Sequence, residues 1–530
     1  MSTKVVHLPY ADTKRYSELV LDLLQGTGPL REHNPYTADL DGLVAAARTR
    51  TFDAGSRSVL CAALDRQYNG IEVGEEVAAN LRALRADGTL TVTTGHQLCL
   101  FTGPLYVPFK ILNVIRLARS ASARLDRPVV PVFWMASEDQ DSEEIDHTYM
   151  NGSKITWQGT SAGAVGAMRL KDIDAAVEAA IQALGSGQDA ERIAELLRAC
   201  YAPDHTLAQA TRLFVNALFG RFGLVILDGD DPELKRLFAP VLREELLNQV
   251  AERSVRYAND RLEGHYGVQA HAREINLFHL RPGHRSRIVL KADHFQVLDN
   301  GPRWSLEEML AEVDRNPQDF SPNVILRPVY QEVVLPNIAY VGGGGEIAYW
   351  MQLRWLFQAL QVPMPVVLLR TSAAAIGIKH LRQWEALGLS VADLFEPLEE
   401  VRTRVARTRS SFPVDVEAER RDLNVFYDAL MERAAKVDVT LKGAVDARRT
   451  RALRGLEQVG KALVRAAKRQ QEVDLRQLDT VHAALFPSGS LQERRENILP
   501  TLATRGVLEL DRLMNELDPL HPRFTLFVED

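Results

Sequence analysis

Residues 91–110 read TVTTGHQLCLFTGPLYVPFK and contain two glycine turns close together. Thr94 and Gly95 end a β-branched run, and His96 and Gln97 follow at once. An imidazole and an amide can both donate hydrogen bonds to charge that develops on a phosphoryl or acyl oxygen. We therefore predict that these polar groups contact a ligand at the end of a strand. The alternative is a structural turn in which His96 caps a neighbouring carbonyl group.

The second turn, Thr102-Gly103-Pro104, precedes an apolar pattern of helical spacing over residues 104–120. A hydroxyl at the cap and a proline in the first turn are typical of a helix start. The free amides and the positive dipole end of this helix would then point back towards His96. This arrangement favours an anionic ligand, either a phosphate or a carboxylate.

Acidic residues are concentrated after another apolar run, in the stretch WMASEDQDSEEIDH. We expect Glu138, Asp139 and Asp141 at the carboxyl end of a strand, facing the first glycine turn across one crevice. Carboxylates there could bind Mg²⁺, bind an amino group or act as a general base. The alternative is an acidic first turn of a helix, which accounts for Glu143 and Glu144 but less well for Asp139.

Four glycines in VGGGGEIAYWMQLRW, residues 341–355, separate a further apolar run from a helical pattern. Gly343 and Gly344 would let the backbone approach a ligand closely, and Glu346 would open the helix. The stretch has neither the Gly-Lys-Ser/Thr of a phosphate-binding loop nor the G-x-G-x-x-G spacing of dinucleotide-binding folds. An alternative is that the glycines serve tight packing alone. The polar residues just upstream that we expect to point into the same cleft are Arg327, Gln331 and Glu332.

The elements that must position these groups follow from an alternation of patterns. Between residue 90 and about residue 375, short apolar runs bounded by turn residues alternate with helical stretches. This alternation predicts an α/β fold with a Rossmann-like parallel sheet whose strands are buried on both faces. In such sheets ligands bind at the carboxyl ends of the strands, where the polar stretches lie. The predicted strands are residues 90–94, 129–136, 223–228, 338–343 and 366–370.

The chain has 530 residues and is too long for one hydrophobic core. Two stretches, about 148–170 and about 268–304, interrupt this alternation of apolar runs and helical patterns. They predict small antiparallel hairpins inserted into the core. Leucines at coiled-coil spacing predict a C-terminal arm of two antiparallel helices, about 414–437 and about 441–485. The predicted divisions are a helical part packed on the core over residues 1–88, the core over 89–375, the arm over 376–486 and a segment returning to the core over 487–530.

Composition excludes several classes of protein. The chain is 46% hydrophobic and 25% charged, with a net charge of −7 and three scattered cysteines. It has no apolar stretch of about 18 residues and no secretory leader, so we expect a cytoplasmic protein without membrane contact. Basic residues of the second arm helix could bind RNA. A solvated face paired with nearby glutamates is the simpler interpretation, and we expect no nucleic-acid partner.

Four stretches, TTGHQLCLFTGPLYVPFKI, PVFWMASEDQDSEEIDH, NVILRPVYQEVVLPNIAYVGGGGEIAYW and SGSLQERREN, together carry a family resemblance. In this order they resemble the cysteine-adding enzymes of bacillithiol synthesis, the BshC family, along nearly the whole chain. The resemblance implies a core akin to nucleotidyl-transferring synthetases and a C-terminal coiled coil that mediates homodimers. It also implies a ligase that joins cysteine to glucosaminyl-malate through an amide bond, in the last step of bacillithiol synthesis.

The same resemblance, with the chemistry above, selects candidate site residues. Forming an amide from a carboxylate and an amine is thermodynamically unfavourable in water. We therefore expect ATP, with Mg²⁺ as a further candidate, to activate the cysteine carboxylate. No metal site is assigned, and Asp139 and Asp141 are the residues that could bind Mg²⁺. Gln140 stands where the family often has histidine, so a base at that position is in doubt. The catalytic candidates are His96, Gln97, Asp139 and Glu346, and the binding candidates are Thr94, Gly95, Thr102, Gly103, Glu138, Asp141, His147, Gln331, Gly343 and Gly344.

Two other classes of function compete with this interpretation. A tRNA-binding relative of the synthetases would use the basic arm. A non-catalytic coiled-coil scaffold would need the glycine turns only for packing. Cys99 lies inside the first motif, but a cysteine in an apolar run is usually inert, so we do not expect it to act as a nucleophile.

Overall fold

A computed structural model describes residues 4–160 and 162–529. Ser161, within the first predicted hairpin stretch, lies outside the described residues, as do the outermost residues of the first and last predicted divisions. None of the helices in the two described ranges is both long and apolar enough to cross a membrane. The α-helices are Glu18–Gln25, Leu40–Thr49, Ala54–Tyr68, Glu75–Ala83, Tyr106–Leu125, Ser142–Ile145, Asp174–Leu184, Gln188–Cys200, Leu207–Phe219, Pro232–Asn248, Val250–Leu262, Leu306–Arg315, Arg327–Val334, Gly344–Trp350, Arg354–Ala359, Ile378–Ala386, Leu398–Arg409, Glu417–Val437, Leu441–Gln470, Glu472–Leu485, Leu499–Arg505 and Glu509–Glu516. The strands are Lys4–Pro9, Leu90–His96, Val129–Met135, His147–Met150, Ser153–Thr156, Val225–Asp228, Leu277–Arg281, His284–Leu290, Phe295–Val297, Arg303–Trp304, Phe320–Pro322, Asn337–Gly342, Val366–Leu369, Ala373–Gly377 and Arg523–Glu529.

A parallel sheet of five strands forms the centre of the molecule. Apolar side chains pack on both of its faces, which explains why its strands are continuous apolar runs. Numbered along the chain, the strands lie in the order 3-2-1-4-5, which is the order of a Rossmann sheet. The predicted α/β fold with a Rossmann-like core is therefore confirmed. From edge to edge the strands are Val225–Asp228, Val129–Met135, Leu90–His96, Asn337–Gly342 and Val366–Leu369.

The strand order reverses between the neighbouring strands Leu90–His96 and Asn337–Gly342. After the first of these the chain turns to one half of the sheet, and after the second it turns to the other half. Their carboxyl ends therefore diverge into a crevice, the point where open α/β sheets bind ligands. The helices that follow these two strands, Tyr106–Leu125 and Gly344–Trp350, begin beside this crevice.

A second, three-stranded sheet joins the two ends of the chain. Arg523–Glu529 pairs antiparallel with Lys4–Pro9 and parallel with Ala373–Gly377. The sequence prediction did not include these strands, and it described the region of Lys4–Pro9 as helical. Each is short and is stabilised by a partner far away along the chain, so the local pattern carries little information about it.

The two stretches that interrupt the alternating pattern form antiparallel strands. His147–Met150 pairs with Ser153–Thr156 as a two-stranded hairpin. The second stretch forms most of a five-stranded sheet, which also includes Phe320–Pro322 from beyond the predicted limit. Its central strand, His284–Leu290, places two arginines on the side of the crevice.

The C-terminal arm is built from two long antiparallel helices, Glu417–Val437 and Leu441–Gln470. The first of them buries no side chain completely, and the second buries only Ala467. The prediction placed one continuous helix from about residue 441 to 485, but the chain breaks at Gln471. The segment after the break, Glu472–Leu485, packs its apolar side chains on the core.

Candidate functional site

A cavity of about 850 Å³ opens at the carboxyl ends of Leu90–His96 and Asn337–Gly342. Its walls come from the first glycine turn, the acidic stretch, the glycine loop and the inserted antiparallel sheet. Gln140, the residue that departs from the family pattern, also lies on its wall. The predicted site residues that line this cavity are Gly95, His96, Gln97, Asp139, Gln331, Gly343, Gly344 and Glu346.

Other predicted site residues lie outside this cavity. Thr94 is buried in the sheet, where its hydroxyl donates to a main-chain carbonyl of the adjacent strand at 2.7 Å. Glu138 points into the core and forms a buried ion pair with Lys235, with N···O at 2.7 Å. Asp141 and His147 line a smaller, second cavity. Glu138 and Asp139 lie in a turn just after the strand Val129–Met135, closed by a hydrogen bond from the Asp139 amide to the Ala136 carbonyl, and their side chains point to different sides.

The helix after the first glycine turn begins differently from the prediction. It starts at Tyr106. Thr102 adopts a φ of 72°, and its buried hydroxyl has no hydrogen-bond partner in the part of the chain that the structure describes. Gly103 has a φ of 69°, and a side chain at this position would collide with Cys99. The amide of Leu105 donates to the carbonyl of Glu496 at 2.8 Å, so it is not free for an anion. Thr102 and Gly103 therefore shape the turn, and they line neither of these two cavities.

Glu346 is already paired within the chain. Lys110 Nζ lies 2.9 and 2.8 Å from its two carboxylate oxygens and also donates to the Gly95 carbonyl at 2.6 Å. The Gly343 amide and the Tyr340 hydroxyl donate to the same carboxylate. Because the Lys110 side chain is only 2% exposed, this pair ties the first glycine turn to the glycine loop across the crevice. The sequence prediction did not include Lys110 among the site residues. The feature that could have indicated it is a single lysine within an apolar helical run.

Burial and neighbouring charges set the protonation of this wall. Burial raises the pKa of Glu346, but Lys110 and the Gly343 amide outweigh burial and lower that pKa overall. Burial lowers the pKa of Lys110, and Glu346 opposes this shift. Burial, and then the Lys110 charge, lower the pKa of His96 to about 3. His96 is therefore a neutral imidazole, and its Nε2 lies 3.1 Å from the Tyr106 hydroxyl.

Asp139 contacts arginines where the sequence suggested a metal or an amine. Arg327 donates to one carboxylate oxygen at 3.0 Å, and Arg285 Nη1 lies 3.7 Å from the other. Gln97 Nε2 lies 3.4 Å away. Burial raises the pKa of Asp139, but the two arginines outweigh burial and hold it below its usual value. Asp139 and Asp141 line different cavities, and no three His, Cys, Asp or Glu side chains in the described ranges are grouped to hold a metal ion. Asp139 and Asp141, which we named as residues that could bind Mg²⁺, therefore do not form one site for it.

The larger cavity carries more positive than negative charge. Seven lysine and arginine side chains line it, against four carboxylates. Arg273, Arg287 and Arg494 form no ion pair with any residue of the described ranges. Burial, and then the nearby Arg273, lower the pKa of Arg287, so like charges face each other. An anionic ligand would relieve this repulsion. The other four cations are paired, Lys110 with Glu346, Arg285 and Arg327 with Asp139, and Arg370 with Glu493.

The late motif SGSLQERREN reaches the site through Glu493. Its carboxylate accepts hydrogen bonds from Arg370 at 2.7 and 3.0 Å and from the Ala373 amide at 3.0 Å. Both charged side chains are buried, so the pair anchors the motif in the core. The next residue, Arg494, is thereby placed on the walls of both cavities. The sequence prediction quoted this motif but assigned no site residue to it.

The second cavity, of about 520 Å³, adjoins the first. Tyr106, Glu144 and Arg494 line both cavities and mark their junction. Burial, and then nearby Asp141, raise the pKa of Glu144, and no cation pairs with its carboxylate in the described part of the chain. The prediction treated Glu144 as part of a helix start, but that helix is a single turn. The acidic and basic residues and the histidine that line the second cavity alone are Asp141, Glu143, His147 and Arg495.

Cys99 lies on the wall of the second cavity, beside the first glycine turn. Its Sγ lies 3.7 Å from His96 Nε2, and burial raises the pKa of the thiol to about 12. A thiol that stays protonated at neutral pH is a poor nucleophile. The surroundings of Cys99 therefore agree with the expectation that it is inert.

These features define a Rossmann-type α/β protein with a cavity rich in basic side chains at its topological switch point and a helical arm. Residues 1–371 match the family described as "Bacillithiol biosynthesis BshC, N-terminal Rossmann-like domain". Residues 376–529 match "Bacillithiol biosynthesis BshC, C-terminal coiled-coil domain". The chain belongs to the BshC family.

Similar proteins in several bacteria carry the name "Putative cysteine ligase BshC". The relative in Flavobacterium johnsoniae is 35% identical over 98% of this chain and 98% of its own. The relative in Cytophaga hutchinsonii is 35% identical over 96% of both chains. A more distant relative, in Shouchella clausii, is 28% identical over 87% of this chain and 88% of its own. The similarity therefore extends through core and arm alike.

Proposed function

We propose that the chain is a ligase that joins the carboxyl group of cysteine to the amine of glucosaminyl-malate. The observation that carries this proposal is the set of unpaired cations, Arg273, Arg287 and Arg494, around one cavity at the switch point. The malate group carries two carboxylates and a nucleotide carries phosphates, and arginines bind both kinds of anion well. Membership of the BshC family and the names of the relatives support the same reaction.

The second cavity suits an α-amino acid, which carries one charge of each sign. Arg494, at the junction of the cavities, would bind the cysteine carboxylate, and Asp141 and Glu143 would bind its ammonium group. The carboxyl carbon would then lie where the cavities meet, beside Glu144 and Tyr106. The larger cavity would receive the amino sugar with its malate group.

Joining a carboxylate to an amine requires activation, and we propose ATP as the source. A cysteine carboxylate oxygen attacks a phosphorus atom of ATP, and pyrophosphate or ADP leaves. The sugar amine then attacks the acyl carbon, loses a proton, and AMP or phosphate leaves. Glu144 would accept the proton, because its carboxylate is unpaired and its pKa is raised. His96 and Gln97 would donate hydrogen bonds to the acyl oxygen as charge develops. We assign no step to a metal ion.

Mass spectrometry of the purified protein with cysteine and glucosaminyl-malate tests the reaction. With ATP we expect a product heavier than the sugar conjugate by one cysteine less one water, together with AMP or ADP. Without ATP we expect no product. Product formed without nucleotide would overturn the activation step. If a protein with a cooperative unfolding transition forms no product under either condition, the proposal that it is this ligase would be overturned.

We also propose that the arm joins two copies of this chain. Val425 and Phe426, on the first arm helix, are 68% and 60% exposed. Apolar side chains exposed along a coiled-coil helix are typical of an association surface. We expect Val425→Glu with Phe426→Glu to convert a dimer into a monomer in analytical ultracentrifugation. A monomeric unmodified protein at micromolar concentration would contradict this proposal.

A further inference from the structure

A buried polar network that the proposed reaction does not use lies beneath the floor of the larger cavity. Gln331 lines the cavity, and its neighbour Glu332 is 1% exposed. Gln331 Nε2 donates to Glu332 Oε1 at 2.9 Å, and Asn337 Nδ2 donates to the same oxygen at 2.8 Å. Asn337 Oδ1 in turn accepts a hydrogen bond from Thr93 Oγ1 at 2.9 Å, within the central sheet.

Glu332 is a costly residue at this position. A buried carboxylate normally has a cation or a full set of hydrogen bonds. The nearby Arg50 donates instead to the main-chain carbonyls of Glu332 and Leu335. The second carboxylate oxygen, Oε2, is buried and has no hydrogen-bond partner among the described residues. An amide or apolar side chain would fill this space at a lower cost in free energy. We therefore infer that the carboxylate serves a purpose other than stability.

We propose that Glu332 orients the Gln331 side chain so that its carbonyl oxygen faces the cavity. Glu332 Oε1 accepts from both Gln331 and Asn337, and in the neutral acid the proton would sit on Oε2, so in either state the amide of Gln331 must turn its NH₂ group towards Glu332. The planar amide then directs Oε1 away from Glu332, and this oxygen accepts no hydrogen bond from residues 4–160 or 162–529. Glu332 is thus a positioning residue that acts through Gln331.

The oriented oxygen is an acceptor, and it would bind an N–H or O–H donor. This step rests on the proposed function, in which the larger cavity receives the amino sugar. A sugar hydroxyl or the sugar ammonium supplies such a donor, whereas the carboxylates of the malate group do not. Without Glu332 the amide could turn over and present its NH₂ group, which would repel the donor. Gln331 and Glu332 would therefore act as one unit in selecting the amino sugar.

A double-mutant cycle tests this arrangement. Glu332→Gln keeps the shape but can offer either an oxygen or an NH₂ group to Gln331, and Gln331→Ala removes the acceptor. We expect Glu332→Gln to raise KM for glucosaminyl-malate about tenfold and to leave KM for cysteine unchanged. We expect the double variant to bind no more weakly than Gln331→Ala alone, because Glu332 has no other route to the substrate.

The matched control is Glu509→Gln, which alters a buried glutamate paired with Arg512 away from both cavities. We expect this control to leave both KM values unchanged. A folded Glu332→Gln protein with an unchanged KM for the sugar would overturn the inference. A double variant whose loss is the product of the two single losses would also overturn it. If the unmodified protein neither turns over nor binds glucosaminyl-malate in calorimetry, the proposed function itself fails, and the inference fails with it.

Discussion

The two walls of the larger cavity differ in how many of their charged side chains form ion pairs. On the wall formed by the helices and loops at the ends of the central strands, Lys110 lies 2.8 Å from Glu346, and Arg327 lies 3.0 Å from Asp139. On the other wall, the inserted sheet contributes Arg285 to the Asp139 pair, but its Arg287, and Arg273 in the loop before it, form no ion pair in the described residues. Paired buried charges hold a wall in one shape, whereas unpaired ones remain available to a ligand. We therefore infer that the first wall maintains the shape of the cavity and that the second wall binds the ligand.

The largest effect should follow from breaking the paired wall. Lys110→Met leaves the partly buried Glu346 carboxylate without its cation. We expect the free energy of unfolding, measured with urea, to fall by about 3–5 kcal/mol. The double variant Lys110→Met with Glu346→Leu should recover most of this loss, since no charge then stays unpaired. A loss below about 1 kcal/mol in the single variant would show that the pair does not hold this wall.

The recognition wall should respond in binding and not in stability. Arg273→Gln and Arg287→Gln each remove an unpaired cation and relieve the repulsion between the two. We expect each variant to raise KM for the anionic substrate by about tenfold or more, with an unchanged melting temperature. Steady-state kinetics at two salt concentrations, with a thermal melt, measure both quantities. A drop in melting temperature with an unchanged KM would reverse the two assignments.

A smaller, pH-dependent effect should come from Glu332 beneath the floor. Burial raises the pKa of its carboxyl group from the usual 4.5 to about 7. Between these values the folded chain holds a proton that the unfolded chain has lost, so stabilisation present below about pH 4.5 is lost as the pH rises through 7. Relative to the unmodified protein, Glu332→Gln should gain roughly 1–3 kcal/mol between pH 5 and pH 8. Urea unfolding at both pH values checks this, and a constant difference would contradict it.

The smallest effect should come from Cys99, which lies beside the paired wall but carries no charge. Burial raises its pKa to about 12, so the thiol stays protonated and unreactive. We expect Cys99→Ala to keep turnover within about twofold, and we expect iodoacetamide to leave this thiol unmodified in the folded protein. Loss of turnover in a variant that still unfolds cooperatively would place Cys99 in the chemistry.

The five strands of the central sheet could be predicted because each is a continuous apolar run between turn residues. A strand that is buried on both faces needs such a run whatever its neighbours are, so the pattern is local. The three polar stretches after these runs could be predicted as a group for the same reason. The carboxyl ends of parallel strands lie at one edge, and this explains why His96, Asp139 and Glu346 share a cavity.

Pairing could not be predicted, because it depends on contacts between distant parts of the chain. Lys110 and Glu346 form one ion pair although they are 236 positions apart. Glu138 and Asp139 are adjacent in the chain, yet one faces Lys235 in the core and the other faces the cavity. Whether a charge is neutralised within the protein or left for a ligand is settled by packing. Residue types and spacing therefore indicate where a ligand binds, but the folded chain selects which side chains are free to bind it.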